Sequence, residues 1–88
     1  MTLVKSQTKQ ATPTMLKGIS MRANSGDVNA CIDAAAKAAW KYGIPYFVVL
    51  VYGGCKILNK KPNLVVGQRL FEVICDKSLN ITCNAYQG

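Results

Sequence analysis

Histidine is absent from this sequence, and acids are scarce: four Asp and Glu stand against eleven Lys and Arg. Without imidazole, no serine or cysteine has its usual general base. Asp27, Asp33, Glu72 and Asp76 are scattered and form no evident pair for acid–base work. Neither the Walker pattern nor the dinucleotide fingerprint occurs, so Gly53-Gly54 reads as a turn and not a phosphate loop. These gaps point to a non-enzyme with no catalytic residues. The paired C-x-x-C knuckle of zinc sites is missing too. Cys31, Cys55, Cys75 and Cys83 therefore read as structural thiols, with no metal and no cofactor.

A membrane-spanning run is also lacking. The most apolar stretch, YGIPYFVVLVYGGCKIL from Tyr42 to Leu58, is broken by Gly43, Pro45, Gly53 and Gly54. A spanning helix needs about 20 uninterrupted apolar residues. Met1-Thr2-Leu3-Val4-Lys5 opens without the apolar region of a secretory signal. The expectation is a cytoplasmic protein with no membrane partner. Its four cysteines would stay reduced there, and a disulfide is not expected.

What is present is a folding sequence. The chain has 88 residues, half of them hydrophobic and 17% charged, which fits one small ordered domain. The formal charge of +7 suits an anionic partner such as nucleic acid or an acidic protein face.

Residues 1–14 read as a polar arm or an edge strand beginning at Leu3 and Val4, and residues 15–88 as a single α+β domain. Alternation at Met15, Ile19 and Met21 against Ser20 and Arg22 predicts a strand over Met15–Arg22. Ser25 or Asp27 can cap a helix. Val28, Cys31, Ile32, Ala35, Ala39 and Tyr42 recur at spacings of three and four, predicting an amphipathic helix over about 26–42. Asn29, Asp33, Lys37 and Lys41 fall on its far side, with Asp33 and Lys37 spaced for a pair. Gly43 suits the left-handed position past its end, and Pro45 forbids continuation.

YFVVLVY then reads as a strand covered on both faces at the centre of the sheet. Gly53-Gly54 turns it into a hairpin with Cys55–Asn59. Residues 64–75 fit strand or helix, and strand is preferred. With Asp76-Lys77-Ser78 as a loop, Phe71, Val73 and Cys75 face the same side as Leu79, Ile81 and Cys83. The resulting architecture is α+β, one amphipathic helix packed on an antiparallel sheet of four to five strands.

Two binding classes stay open. Lys56, Lys60, Lys61 and Arg69 lie on or beside the hairpins, and Lys37 and Lys41 share a helix face with Trp40 near its rim. Lysines attract phosphate and exposed aromatics stack on bases, which supports a nucleic-acid module. Alternatively the sheet offers its helix-free face, or an edge strand, to a protein partner or a second copy. Asn80, Thr82, Asn84 and Tyr86 would form a polar face on the last strand for that purpose.

ISMRANSGDVNACIDAAAKAAWKYGIPYFVVLVYGG, from Ile19 to Gly54, runs as strand, Ser-Gly-Asp cap, alanine-rich helix, Tyr-Gly-x-Pro stop and Tyr/Val-rich strand. This layout resembles that of small phage and mobile-element inhibitors of bacterial immunity among the type I-F anti-CRISPRs. The match covers under half the chain and carries over no functional residue. It implies stoichiometric, non-catalytic binding of a nucleoprotein defence complex. Many such inhibitors are acidic mimics of DNA. This chain is basic, so its lysines would meet acidic protein patches or nucleic acid held by the complex. The expectation is therefore a small inhibitor of this kind. A stand-alone basic nucleic-acid-binding module, or an accessory structural subunit of a larger assembly, is the alternative.

Overall fold

The computed structural model describes residues 2–19 and 27–88. Among them the chain forms β1 (Thr2–Gln10), α1 (Pro13–Gly18), α2 (Val28–Tyr42), β2 (Tyr46–Val51), β3 (Gly54–Leu58), β4 (Arg69–Cys75) and β5 (Asn80–Gln87). The strands make one antiparallel sheet in the order β1-β5-β4-β2-β3. The architecture is α+β, with α2 lying across β4, β2 and β3 on one face. No helix of the described residues is long and apolar enough to cross a membrane.

The N-terminal residues are an edge strand and not a loose arm. β1 pairs along its length with β5, and a register shift between Leu3 and Lys5 bends it. All nine of its residues are exposed. Lys5 and Lys9 on this open edge discourage a second chain from pairing there.

The predicted strand over Met15–Arg22 is corrected for its first half. Thr12 caps a helix by accepting from the Met15 N–H at 3.2 Å, and Pro13 pre-sets the first helical turn. This local capping overrides a short alternation, and it drives Leu16 into the core. Residues 20–22 of the expected strand, like Ser25, lie outside the described residues.

α2 follows the sequence closely. Asp27 accepts from the Ala30 N–H at 3.2 Å, and Gly43 closes the helix at φ 69° with its N–H on the Ala39 carbonyl. Its buried face is almost all small: Cys31, Ala34, Ala35, Ala36, Ala38 and Ala39. Those methyl groups let the helix sit close on the sheet. Tyr42, expected on that face, is 55% exposed.

β2 is covered on both faces, as its unbroken apolar run predicts, but it is not central. Val48 packs in the core cluster with Cys31 and Ala35, while Phe47 and Val49 join Leu70 and Leu64 in a second cluster. The central strand is β4, where Leu70 and Val73 are fully buried on opposite faces. β3, five residues long, lies beyond β2 and forms the other edge of the sheet. The β2–β3 turn is Tyr52-Gly53, with Gly53 at φ 82°. Residues 59–68 return over the helix-free face, where Leu64 covers the second cluster.

The β4–β5 hairpin has the expected face. Cys75 pairs with Ile81, Val73 with Cys83 and Phe71 with Ala85. Its loop runs from Asp76 to Leu79, one residue longer than expected. The Asp76 carboxylate accepts from the N–H groups of Ser78 and Asn80, both at 2.9 Å. That ring of donors fixes a turn in which Leu79 adopts φ 63° and still packs its side chain on the core.

The expectation of four reduced thiols is also corrected. Cys31 on the buried face of α2 and Cys55 on β3 are joined as a disulfide, with Cα atoms 6.8 Å apart. Packing of the alanine face on the sheet carries the two Cβ atoms within reach, although the residues are 24 apart in sequence. Cys75 and Cys83 remain thiols.

Candidate functional site

The carboxylates are few, and each has a place in the fold. Asp27 caps α2, and Asp76 holds the β4–β5 turn. Glu72 accepts from the Asn84 amide at 3.1 Å, and Asp33 lies 3.6 Å from the Lys9 ammonium. Each acid is engaged within the fold. Hydrogen bonds, above all from the Asn80 N–H, hold the Asp76 carboxyl below its ordinary value, against a smaller desolvation effect.

The cations are left largely unopposed. Lys9–Asp33 is the one ion pair among the described residues. Lys5, Lys17, Lys41, Lys56, Lys60, Lys61, Arg69 and Lys77 are all exposed. The surface therefore carries a positive field with little internal neutralisation.

The seven residues singled out from the sequence do not form one patch. Lys37 is half-buried, and its ammonium donates to the carbonyls of Ile19 at 2.7 Å and Lys17 at 3.2 Å. It holds α1 against α2 and does not pair with Asp33. Trp40 is half-buried against the main core cluster. Lys41 stands 5.3 Å from the ring centre of Tyr42 at the end of α2. Lys56 opposes Val49 on β3 and so belongs to the helix-free face. Lys60 and Lys61 project from the segment after β3, and the Lys61 ammonium sits 5.8 Å from the Tyr86 ring centre. Arg69 begins β4 on the helix-bearing side, away from that group.

The sheet offers two open regions. On its helix-free face the polar residues of β5 are bonded to β1: Ser6 donates to Asn84, and the Thr8 and Thr82 hydroxyls lie 3.4 Å apart. With Gln10 donating to the Ser78 carbonyl at 2.7 Å, this half of the face is a flat polar ladder. On the other face α2 stops short of β1 and β5. A hollow of about 550 Å³ opens there between α2 and the strip, lined by Lys9, Asp33, Asn29, Gln7, Ile32 and Cys83 among others. A smaller notch of about 200 Å³ lies further along, beside Lys5 and Arg69. Sequence reading missed this strip, because the pairing of β1 with β5 joins residues from opposite ends of the chain.

Cys83 is the one cysteine among the described residues that lines either hollow. Burial raises the Cys83 thiol above its ordinary 9.0, and nearby Lys9 offsets only part of that. Burial likewise raises Cys75, helped by the charge of Asp76. Protonated thiols are poor nucleophiles and poor metal ligands. Among the described residues no three His, Cys, Asp or Glu side chains converge to hold a metal ion. The geometry offers charge and shape for binding. Set against family models, curated proteins and solved structures, this chain matches none.

Proposed function

We propose that this chain is a non-enzymatic binding protein that docks on an anionic partner. The narrower reading is an inhibitor from a phage or mobile element that occupies a host nucleoprotein defence complex, in the manner of the type I-F anti-CRISPRs. One observation carries the proposal. All four carboxylates are engaged inside the fold, while eight exposed cations have no carboxylate partner among the described residues. Such a field speeds encounter with an acidic face and fixes orientation more than it sets final affinity.

Work in a bacterial cytoplasm requires the fold to stand when Cys31 and Cys55 are reduced, since that compartment opens accessible disulfides. On this reading the hydrogen-bonded five-stranded sheet and the alanine face of α2 must hold the fold without the crosslink.

A stand-alone nucleic-acid module is the second reading. Fully exposed Tyr52, on the same hairpin as Lys56, is the stacking-plus-charge arrangement that favours it. Co-elution with a purified nucleoprotein effector on size exclusion tests the first reading. A one-to-one complex at physiological salt supports it, and separate elution at low salt removes it.

A further inference from the structure

Lys5, Ala85 and Phe71 form one row across β1, β5 and β4, on the face that carries α2. Ala85 is the short member between a lysine and an aromatic ring. A notch of about 200 Å³ opens beside it, walled also by Val4, Tyr86 and Arg69. α2 packs over β4, β2 and β3 and leaves this strip uncovered.

Its size, its walls and its charge together define what fits. Small-molecule sites usually run from about 300 to 1,000 Å³, so this notch suits a single apolar side chain instead. Pockets that accept one anchoring residue are where protein interfaces concentrate their binding energy. The walls are largely apolar, and Val4 is 63% exposed at the edge. Lys5 and Arg69 are both exposed, and no carboxylate lines the notch. A second copy of this chain is a poor occupant, because its four carboxylates are already engaged.

We infer that the notch is an anchor site for a protein partner. It takes one apolar side chain from an extended acidic segment, whose flanking carboxylates meet Lys5 and Arg69. The planar guanidinium of Arg69 can grip a carboxylate through two parallel hydrogen bonds. This inference rests on the binding-protein reading above and gives it a surface and a recognition motif.

The test is selection of a random-peptide library against the immobilised protein, followed by NMR titration of the winning peptides. Winners should share an apolar residue flanked by Asp or Glu, and should shift the resonances of Val4, Phe71 and Ala85. Ala85→Phe, which fills the notch, and Arg69→Glu, which reverses an exposed charge, should each weaken them roughly tenfold or more. Arg69→Glu keeps the test decisive if Ala85→Phe fails to fold. The inference is overturned if no motif emerges, if the peptides map elsewhere, or if Arg69→Glu leaves affinity unchanged. It is equally overturned if oligonucleotides, and not peptides, shift these resonances. In any of these cases, continued co-elution with a purified effector would leave the binding-protein reading standing. Loss of both would remove it.

Discussion

The Lys37 ammonium donates to the Ile19 carbonyl oxygen at 2.7 Å, and this bond pins α1 to the flank of α2. A charged donor on a backbone carbonyl is worth about 1.5–3 kcal/mol when buried, and less at this half-buried site. Lys37→Met should therefore destabilise the fold by about 1 kcal/mol in urea and speed amide exchange in α1. Partner affinity should stay the same. A stable Lys37→Met protein that lost its partner would return Lys37 to the binding surface.

The Cys31–Cys55 bond ties α2 to β3 across a sequence separation of 24. Chain entropy gives such a crosslink roughly 3 kcal/mol. Reduction, or Cys55→Ser, should lower the melting temperature without unfolding the chain at 25 °C. A reduced protein that lost its near-UV dichroism at 25 °C would show that the fold depends on oxidation, and would rule out a reducing compartment.

Burial raises both remaining thiols, so each holds its proton at neutral pH more firmly than an ordinary cysteine. The stability linked to these groups is full below the unfolded thiol's pKa and is lost as pH climbs through the higher folded value. Iodoacetamide should modify Cys75 and Cys83 slowly at pH 7 and speed up only above about 9. Lys9→Met should slow Cys83 further, because Lys9 is what lowers its pKa. Fast labelling of Cys83 at pH 7 would mark it as an activated nucleophile and reopen the question of catalysis.

Lys60 and Lys61 stand together on the segment that crosses the helix-free face. Reversing both to Glu should weaken partner binding while leaving far-UV dichroism unchanged, since neither side chain is buried. Unchanged binding would remove that segment from the interface and leave the strip near Arg69 as the stronger candidate.

How much of this was legible in the sequence depended on whether the signal was local. The α2 cap at Asp27 and its stop at Gly43 are each written in adjacent residues and appear where expected, and the Gly-Gly hairpin signal is displaced by one residue, with Tyr52-Gly53 forming the turn and Gly54 opening β3. The helix at Pro13–Gly18 was hidden because Met15 and Ile19 imitate a period of two. Thr12 and Pro13, a cap and a first-turn proline, were the signal that could have revealed it. The two hairpins were legible, but the order in which they and β1 join into one sheet was not. Which of two doubly covered strands is central depends on pairings between distant segments, so β2 was mistaken for β4. The strip joining Lys5 to Ala85 and Phe71 was missed for the same reason, whereas the Cys31–Cys55 bond was not expected because the thiols were placed in a reducing compartment.

The most direct measurement is fluorescence anisotropy at two salt concentrations. Labelled single- and double-stranded DNA and RNA would be titrated beside a labelled, purified nucleoprotein effector. A protein that docks on such a complex should bind the effector tightly and in a salt-sensitive way, and should bind naked nucleic acid little. Submicromolar, salt-sensitive binding to naked nucleic acid alone would contradict it and make this chain a nucleic-acid module in its own right.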